Sequence, residues 1–244
     1  MVFHTTQKNI LPYVPELEIG GVSIDRVSNF NFLGLTINEN LSWKPHVDLI
    51  ANKLSKYVGI LNRLKRYLPQ NILKTLYFSL IQSSLNYSLL AWGFNCGRLK
   101  TLQKKVIRII TDSKYNAHTE PIMKDLGILK LEDLFRLNMC KWYYRFIHKE
   151  LPEYFLSYTI RHQFEIHSYN TRHNSYVVPP PIRIKAARYS LRNHISVVIN
   201  AIPSNVITKI ETHSYKGFST YAKNTILSTY SKECSIEHCY ICNS

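Results

Sequence analysis

Apolar and polar positions change period several times along this chain, and each change marks an element. Leu17 and Ile19 flank Glu18, then Val22 and Ile24 flank Ser23. The Gly20-Gly21 pair between them tolerates positive φ, so the pattern predicts a two-residue β-hairpin. A third extended piece, "FNFLGLTIN", carries Phe30, Phe32, Leu35 and Ile37, and Gly34 inside it predicts a bulge or a close backbone approach. After Leu41 the step becomes three and four. Val47, Ile50, Ala51, Leu54, Val58, Leu61 and Leu64 line one face of a helix that Pro45 opens and Pro69 ends. A second helix is predicted from Asn71 to Trp92, with Leu73, Leu76, Tyr77, Leu80, Ile81 and Ser84 on a shared face. Gly93 and Gly97 break the chain before a third helix, Arg98 to Thr111.

A second helical block follows "SKYNAHTEP". It comprises a short helix ended by Gly127 and a long one, "KLEDLFRLNMCKWYYRFIHKELP", stopped by Pro152. "HSYNTRHNSYVVPPPIRI" reads as extended or looped. Short helices around "SLRNHISVVINAIP" and "YKGFSTYAKNTILSTY" close the chain. The fold class predicted is mainly α with a small N-terminal β-hairpin (α+β). Residues 1–40 form the β element and 41–115 a basic helical bundle. Residues 116–232 form a mostly helical C-terminal domain with an extended Pro-rich segment, and 233–244 a Cys-rich tail.

Composition narrows the class. The chain has 244 residues, 45% of them hydrophobic and 12% aromatic, which excludes a disordered tail. Five cysteines, an odd number with scattered spacing, do not make a disulfide framework, so a reducing compartment is expected. The start "MVFHTTQKNI" has neither the basic nor the apolar region of a signal peptide. Thr75 to Gly97 holds no charge, yet its serines, Asn86 and Gln82 make it too polar to span a membrane. A buried core helix is expected there, in an intracellular protein of the cytoplasm or nucleus.

Charge points to a partner. The formal net charge is +15. Between Lys44 and Arg108 lie twelve Lys or Arg and a single acid, Asp48, a local net of +11. On a helical wheel Leu99, Leu102, Val106, Ile109 and Ile110 fill one arc of the third helix, and Arg98, Lys100, Lys104, Lys105 and Arg108 fill the opposing one. A merely solvated face usually mixes signs, because like charges four residues apart repel by a few tenths of a kcal/mol. Phosphates would compensate an all-cation face, which favours RNA or DNA over a plain solvated face or a membrane-surface helix. The candidate contacts are these five with Lys44, Lys53, Lys56, Arg63 and Arg66 of the first helix. Trp43, beside Lys44, is a candidate for stacking.

The stretch "FLGLTINENLSWKPHVDLIANKLSKYVGILNRLKRYLP" resembles the segment just after the catalytic palm in reverse transcriptases of jockey-like non-LTR retrotransposons. "LYFSLIQSSLNYSLLAWG", "LQKKVIRII", "AHTEPIMKDLGILKLEDL", "LPEYF", "NTRHN" and "NAIPSNV" continue the resemblance in order over nearly the whole chain. It implies that residues 1–40 are a residual palm hairpin and 41–115 a thumb. Phe32, Leu33 and Gly34 would then be primer-grip-like, and the helix from Trp43 to Leu68 would lie along a template–primer duplex. In that family paired aspartates in a Y/F-A-D-D turn carry Mg²⁺. The five aspartates here (Asp25, Asp48, Asp112, Asp125, Asp133) are never adjacent, and no such turn precedes Leu33. "MVF" looks like an internal start within a palm. The resemblance therefore implies the back third of a polymerase, without polymerase activity of its own and with no cofactor, since Mg²⁺ would belong to the missing palm.

Other chemistry is weaker. Cys239-x₂-Cys242 is a normal half of a zinc site, but Cys234 and His238 would have to complete it within nine residues, and adjacent His238 and Cys239 rarely reach one ion. A tail with free thiols is the better reading. Cys140 and His148 have no nucleophile motif around them, and the eight glycines form no phosphate-cradling loop. The rival reading is a protein–protein or structural helical module, or a relic reading frame without function.

Overall fold

The structure, a computed structural model, describes residues 1–4, 16–94, 96–158, 160–166, 169, 176–181 and 190–231. The class is as expected, mainly helical with two small antiparallel strand pairs at the N-terminal end. Strands β1 (Glu18–Ile19) and β2 (Val22–Ser23) pair across Gly20 and Gly21, whose φ of +60° and +79° fit a type I′ turn. The piece "FNFLGLTIN" is a second hairpin rather than one bulged strand. β3 (Asn29–Phe32) and β4 (Leu35–Asn38) pair with Phe32 opposite Leu35, leaving Leu33 and Gly34 as the two turn residues at φ +48° and +78°. Gly34, expected as a bulge or a close backbone approach, is instead the second residue of this turn, and Leu33 before it is a residue type that seldom takes positive φ.

The second hairpin sits on the helices with Thr36 buried, while Phe30 and Phe32, on the opposite pleat, stay more than half exposed. Helix α1 (Lys44–Leu64) packs against β4 and buries His46, Ile50, Ala51, Leu54, Val58 and Leu61. Its apolar face was read correctly. The first hairpin has no such seat, with Ile19 73% and Val22 69% exposed.

The helix predicted from Asn71 to Trp92 is a broken series. It runs as α2 (Gln70–Leu76), a π-helical stretch (Tyr77–Gln82), α3 (Ser83–Asn86) and α4 (Leu89–Trp92). The buried residues recur every four positions: Leu73, Tyr77, Ile81, Leu85 and Leu89. In an α-helix four residues overshoot a turn by about 40°, so this stripe would walk off the core; the wider π turns absorb part of the drift. Ser88, at φ +49°, then bends the chain, and the Trp92 indole donates to the Tyr87 carbonyl at 2.9 Å across the bend.

Helix α5 (Gly97–Ile110) runs parallel to α1. Arg98 at its start meets Asp48 at the start of α1, and Lys65 just past α1 meets Asp112 just past α5. Helix α6 (Thr119–Leu126) ends at Gly127, φ +64°, as the sequence indicates. The central helix α7 (Leu131–Ile147) is buried on most sides and stops at His148, before the Pro152 that begins α8 (Glu153–Leu156). Helices α9 (Leu191–Asn200), α10 (Ser204–Ile207), α11 (Lys209–Thr212) and α12 (Tyr215–Ser228) pack around it. Of the Pro-rich stretch, Tyr169 and residues 176–181 are described. The Asn200 side-chain amide brackets Val177, donating to its carbonyl and accepting from its N–H. The tail with Cys234, His238, Cys239 and Cys242 lies outside the described residues. Cys96 and Cys140 are free and buried. No described helix is long and apolar enough to cross a membrane.

Candidate nucleic-acid interface

Two helices carry the cations that sequence reasoning singled out. On α1, Asn52, Lys56, Gly59 and Arg63 recur at steps of four, three and four and share one outward face. Lys44, Lys53, Lys56, Arg63 and Arg66 are exposed, and none forms an ion pair among the described residues. Lys53 lies over the Tyr57 ring at 5.8 Å. Gly59 sits in the middle of this face, and a Cβ built on it would meet nothing within 4 Å. The face is therefore flat, cationic and open at its centre.

The face of α5 differs from the purely cationic arc that the wheel suggests. Arg98 reaches Asp48 at 3.5 Å and Asn52 at 3.2 Å, both on α1. Lys100 pairs with Glu132 of α7, whose carboxyl is held below its usual range first by that hydrogen bond. Arg108 is half-buried and donates through Nε to the Ala117 carbonyl at 2.9 Å. Lys104 and Lys105 remain exposed without an ion pair among the described residues, though Lys104 lies close enough to Glu120 to help lower its pKa. The wheel saw one helix at a time, so it could not see acids arriving from α1 and α7. The buried side is also rotated: Gln103 and Ile107 are buried, and Leu102 only half so.

Gln103 is a structural residue that the sequence did not reveal. Its Nε2 donates to the Tyr77 hydroxyl at 2.8 Å and to the Leu129 carbonyl at 2.9 Å, and its Oε1 accepts from the Leu131 N–H at 3.0 Å. Leu131 opens α7, where the N-cap residue Lys130 offers no side-chain cap. A tertiary amide thus does the capping and ties α5 to the central helix. Burial pushes the Tyr77 phenol up to about 12.

Phe32, Leu33 and Gly34, for which the resemblance implies a primer-grip-like role, form the tip of the second hairpin. Leu33 is 73% exposed with left-handed backbone, and its carbonyl accepts from the Tyr87 hydroxyl. The ring of Tyr87 lies in ordinary contact with the space beside Gly34, 3.5 Å from an added Cβ. Tyr87 therefore seats the tip on the α3–α4 bend. Trp43 is half-buried against the core, its ring edge-on to His46 at 6.3 Å. Part of its surface is committed to packing rather than free for stacking.

Comparison with known proteins supplies the context. The chain is 25% identical over 136 residues to a Drosophila melanogaster protein described as "Probable RNA-directed DNA polymerase from transposon BS". That match spans 52% of this chain and 15% of the relative's length. The relationship is distantly reverse-transcriptase-like. It supports a retroelement-derived fragment. No family model matches the chain, and no solved structure does.

The Mg²⁺ that the resemblance implies for a catalytic palm finds no fitting donor set among the described residues of this chain. Among the described residues no three of His, Cys, Asp and Glu gather where they could hold a metal. Three of the five aspartates are engaged elsewhere: Asp48 with Arg98, Asp112 with Lys65, and Asp133 with Arg136.

Proposed function

We propose that this retroelement-derived chain binds the phosphate backbone of RNA or DNA without regard to sequence, and that it does not polymerise by itself. One observation carries the binding reading: Lys56 and Arg63 stand on one open face of α1 without an ion pair among the described residues, with Gly59 between them. Seven residues at 1.5 Å per residue put them about 10 Å apart along the helix, enough to reach separate phosphates. A mid-helix Gly costs about 1 kcal/mol against Ala, and here no neighbour uses the space that it leaves. A close-lying backbone would use it.

The test is fluorescence anisotropy with a labelled duplex or RNA–DNA hybrid over a salt series. Affinity should fall steeply with salt, with a slope of about 0.9 per phosphate contact on B-DNA. Lys56→Gln with Arg63→Gln should lower that slope by up to about two. Gly59→Ala should raise thermal stability by about 0.5–1 kcal/mol while weakening binding. An unchanged slope in the double variant would refute the reading. Templated incorporation by the chain alone, with Mg²⁺ or Mn²⁺, would refute its second half.

A protein-interaction module is the second reading. It rests on the exposed apolar surface of the N-terminal hairpins, where Ile19, Val22, Phe30, Phe32 and Leu33 are all more than half exposed. A salt-insensitive interaction with a protein partner, and none with duplex, would favour it.

A further inference from the structure

A second cationic site lies on the central helix α7. Where α7 faces the α3–α4 bend and the start of α12 there is a cleft of about 280 Å³. Asn138, Lys141 and Arg145 line it from one face of α7, at steps of three and four. Asn86 and Ser88 line it from the bend, and Tyr215 from α12. Among the described residues no acid lines the cleft, and neither Lys141 nor Arg145 forms an ion pair.

The arrangement is costly in the empty state. Like charges at i,i+4 repel, and Lys141 is half-buried. Its ammonium is held below its ordinary pKa first by burial, then by Lys223 of α12 and by Arg145. Arg145 keeps its guanidinium over the Tyr215 ring at 4.7 Å, so it is held in place by an aromatic rather than by a carboxylate. The Asn138 amide donates to the Asn86 side-chain oxygen at 2.6 Å, which leaves the Asn86 nitrogen as a further donor. The cleft therefore offers an ammonium, a guanidinium fork, an amide and the Ser88 hydroxyl.

We infer that this cleft is a binding site for a dianionic phosphate group, either a terminal monoester or the free ion. Two cations and a third nearby suit a group carrying about −1.5 to −2 charges near pH 7, and several donors suit its three oxygens better than the two of a carboxylate. The volume sits at the small end of small-molecule sites, about 300–1,000 Å³, so it takes a phosphate and its immediate attachment rather than a whole nucleotide. The phosphate has two sources, a free small ion or the 5′ end of a nucleic acid strand. This site is separate from the α1 face and stands or falls independently of it.

The test is a thermal-shift titration of the full chain with inorganic phosphate, with acetate at equal ionic strength as control. Phosphate should raise the midpoint and acetate should not. In Lys141→Met the phosphate shift should vanish, while the midpoint without phosphate should rise, because a desolvated charge beside two cations has been removed. Arg145→Gln provides a second variant whose fold does not depend on a buried stem, and it should lose most of the shift. Lys56→Gln with Arg63→Gln should keep the full shift, which separates this site from the α1 face. A 5′-phosphorylated oligonucleotide binding at least about tenfold more tightly than its 5′-hydroxyl twin, only when Lys141 is present, would support the site and identify strand ends as the source. Equal binding of the two oligonucleotides with a retained phosphate shift would support it and identify a free ion. No phosphate shift, an equal shift with acetate, or a full shift in both Lys141→Met and Arg145→Gln would overturn the proposal.

Discussion

Replacing Gln103 by Met tests how α5 is joined to the rest of the molecule. Met keeps the length of the side chain and its helix propensity but removes both polar ends. Three buried groups lose partners at once: the Tyr77 hydroxyl, the Leu129 carbonyl and the Leu131 N–H. Each orphaned group costs about 1–3 kcal/mol, and partial relaxation brings the total to about 3–5 kcal/mol. For a chain of this size about 1 kcal/mol shifts the midpoint by about 2–4 °C, so calorimetry or circular dichroism should show a fall of about 6–20 °C. Thr101→Ala, an exposed change on the same helix, should stay within about 0.5 kcal/mol. A double-mutant cycle sharpens the test. Tyr77→Phe should cost about 1 kcal/mol in the wild type and little or nothing beside Gln103→Met, since its hydroxyl is by then unpaired. A fall below about 2 °C in Gln103→Met would refute the reasoning, because it would mean that these bonds are replaced without loss.

Leu54→Asp or Leu61→Asp places an unpaired charge where the wild-type side chain is 0% exposed, so either should cost several kcal/mol in thermal unfolding. Burial holds the His46 imidazole below its ordinary 6.5, and its Nδ1 accepts the Thr36 N–H at 3.3 Å. The unfolded chain therefore takes up this proton first, so the stability that His46 contributes is complete above about pH 6.5 and is lost as the pH falls below it. His46→Gln should flatten the fall in midpoint between about pH 7 and about pH 5, and an identical slope would refute this. Tyr230→Phe removes the donor at 2.6 Å from buried Asp133 and the acceptor for the Lys130 N–H. It should cost about 1.5–3 kcal/mol and raise hydrogen exchange in α12 before α1, which equal exchange in both would contradict.

Helices with one clear apolar stripe were legible in the sequence, and the rest was not for identifiable reasons. The α1 stripe at Ile50, Leu54, Val58 and Leu61 needs only its own period to be read. The series from Gln70 to Trp92 hides its π segment because a four-residue repeat also passes for an α-helical one over two turns. Gln103 stands between Leu102 and Lys104 with nothing in the sequence to single it out, since three partners from distant positions are invisible to a wheel. The cations of α1 were legible as exposed, whereas those of α5 were legible only as charges, their acids being 32 to 50 residues away in sequence. Lys141 and Arg145 are not among the candidate contacts that charge and periodicity single out. Their signal was present, two like charges on one helix face with Asn138 and no acid four residues away.

The two hairpins have a consequence for the protein in solution. In a two-stranded sheet both strands are edges, so each strand turns amides and carbonyls outward that its own sheet does not pair, of which the Thr36 N–H of β4 is taken by His46. None of the four carries a lysine, proline or arginine, the usual guards of an open edge. The hairpins differ in how firmly they hold that edge out. The β3–β4 pair is fixed at its tip by Tyr87 and at its base by α1, so it is a rigid template on which an incoming strand loses little of its own pairing energy to ordering. The β1–β2 pair is a bare ribbon of the kind that is marginal in water alone, and its order depends on what it meets. Strand addition, by another copy or another chain, will therefore begin at the anchored edge, and dilution rather than salt will be what reverses it.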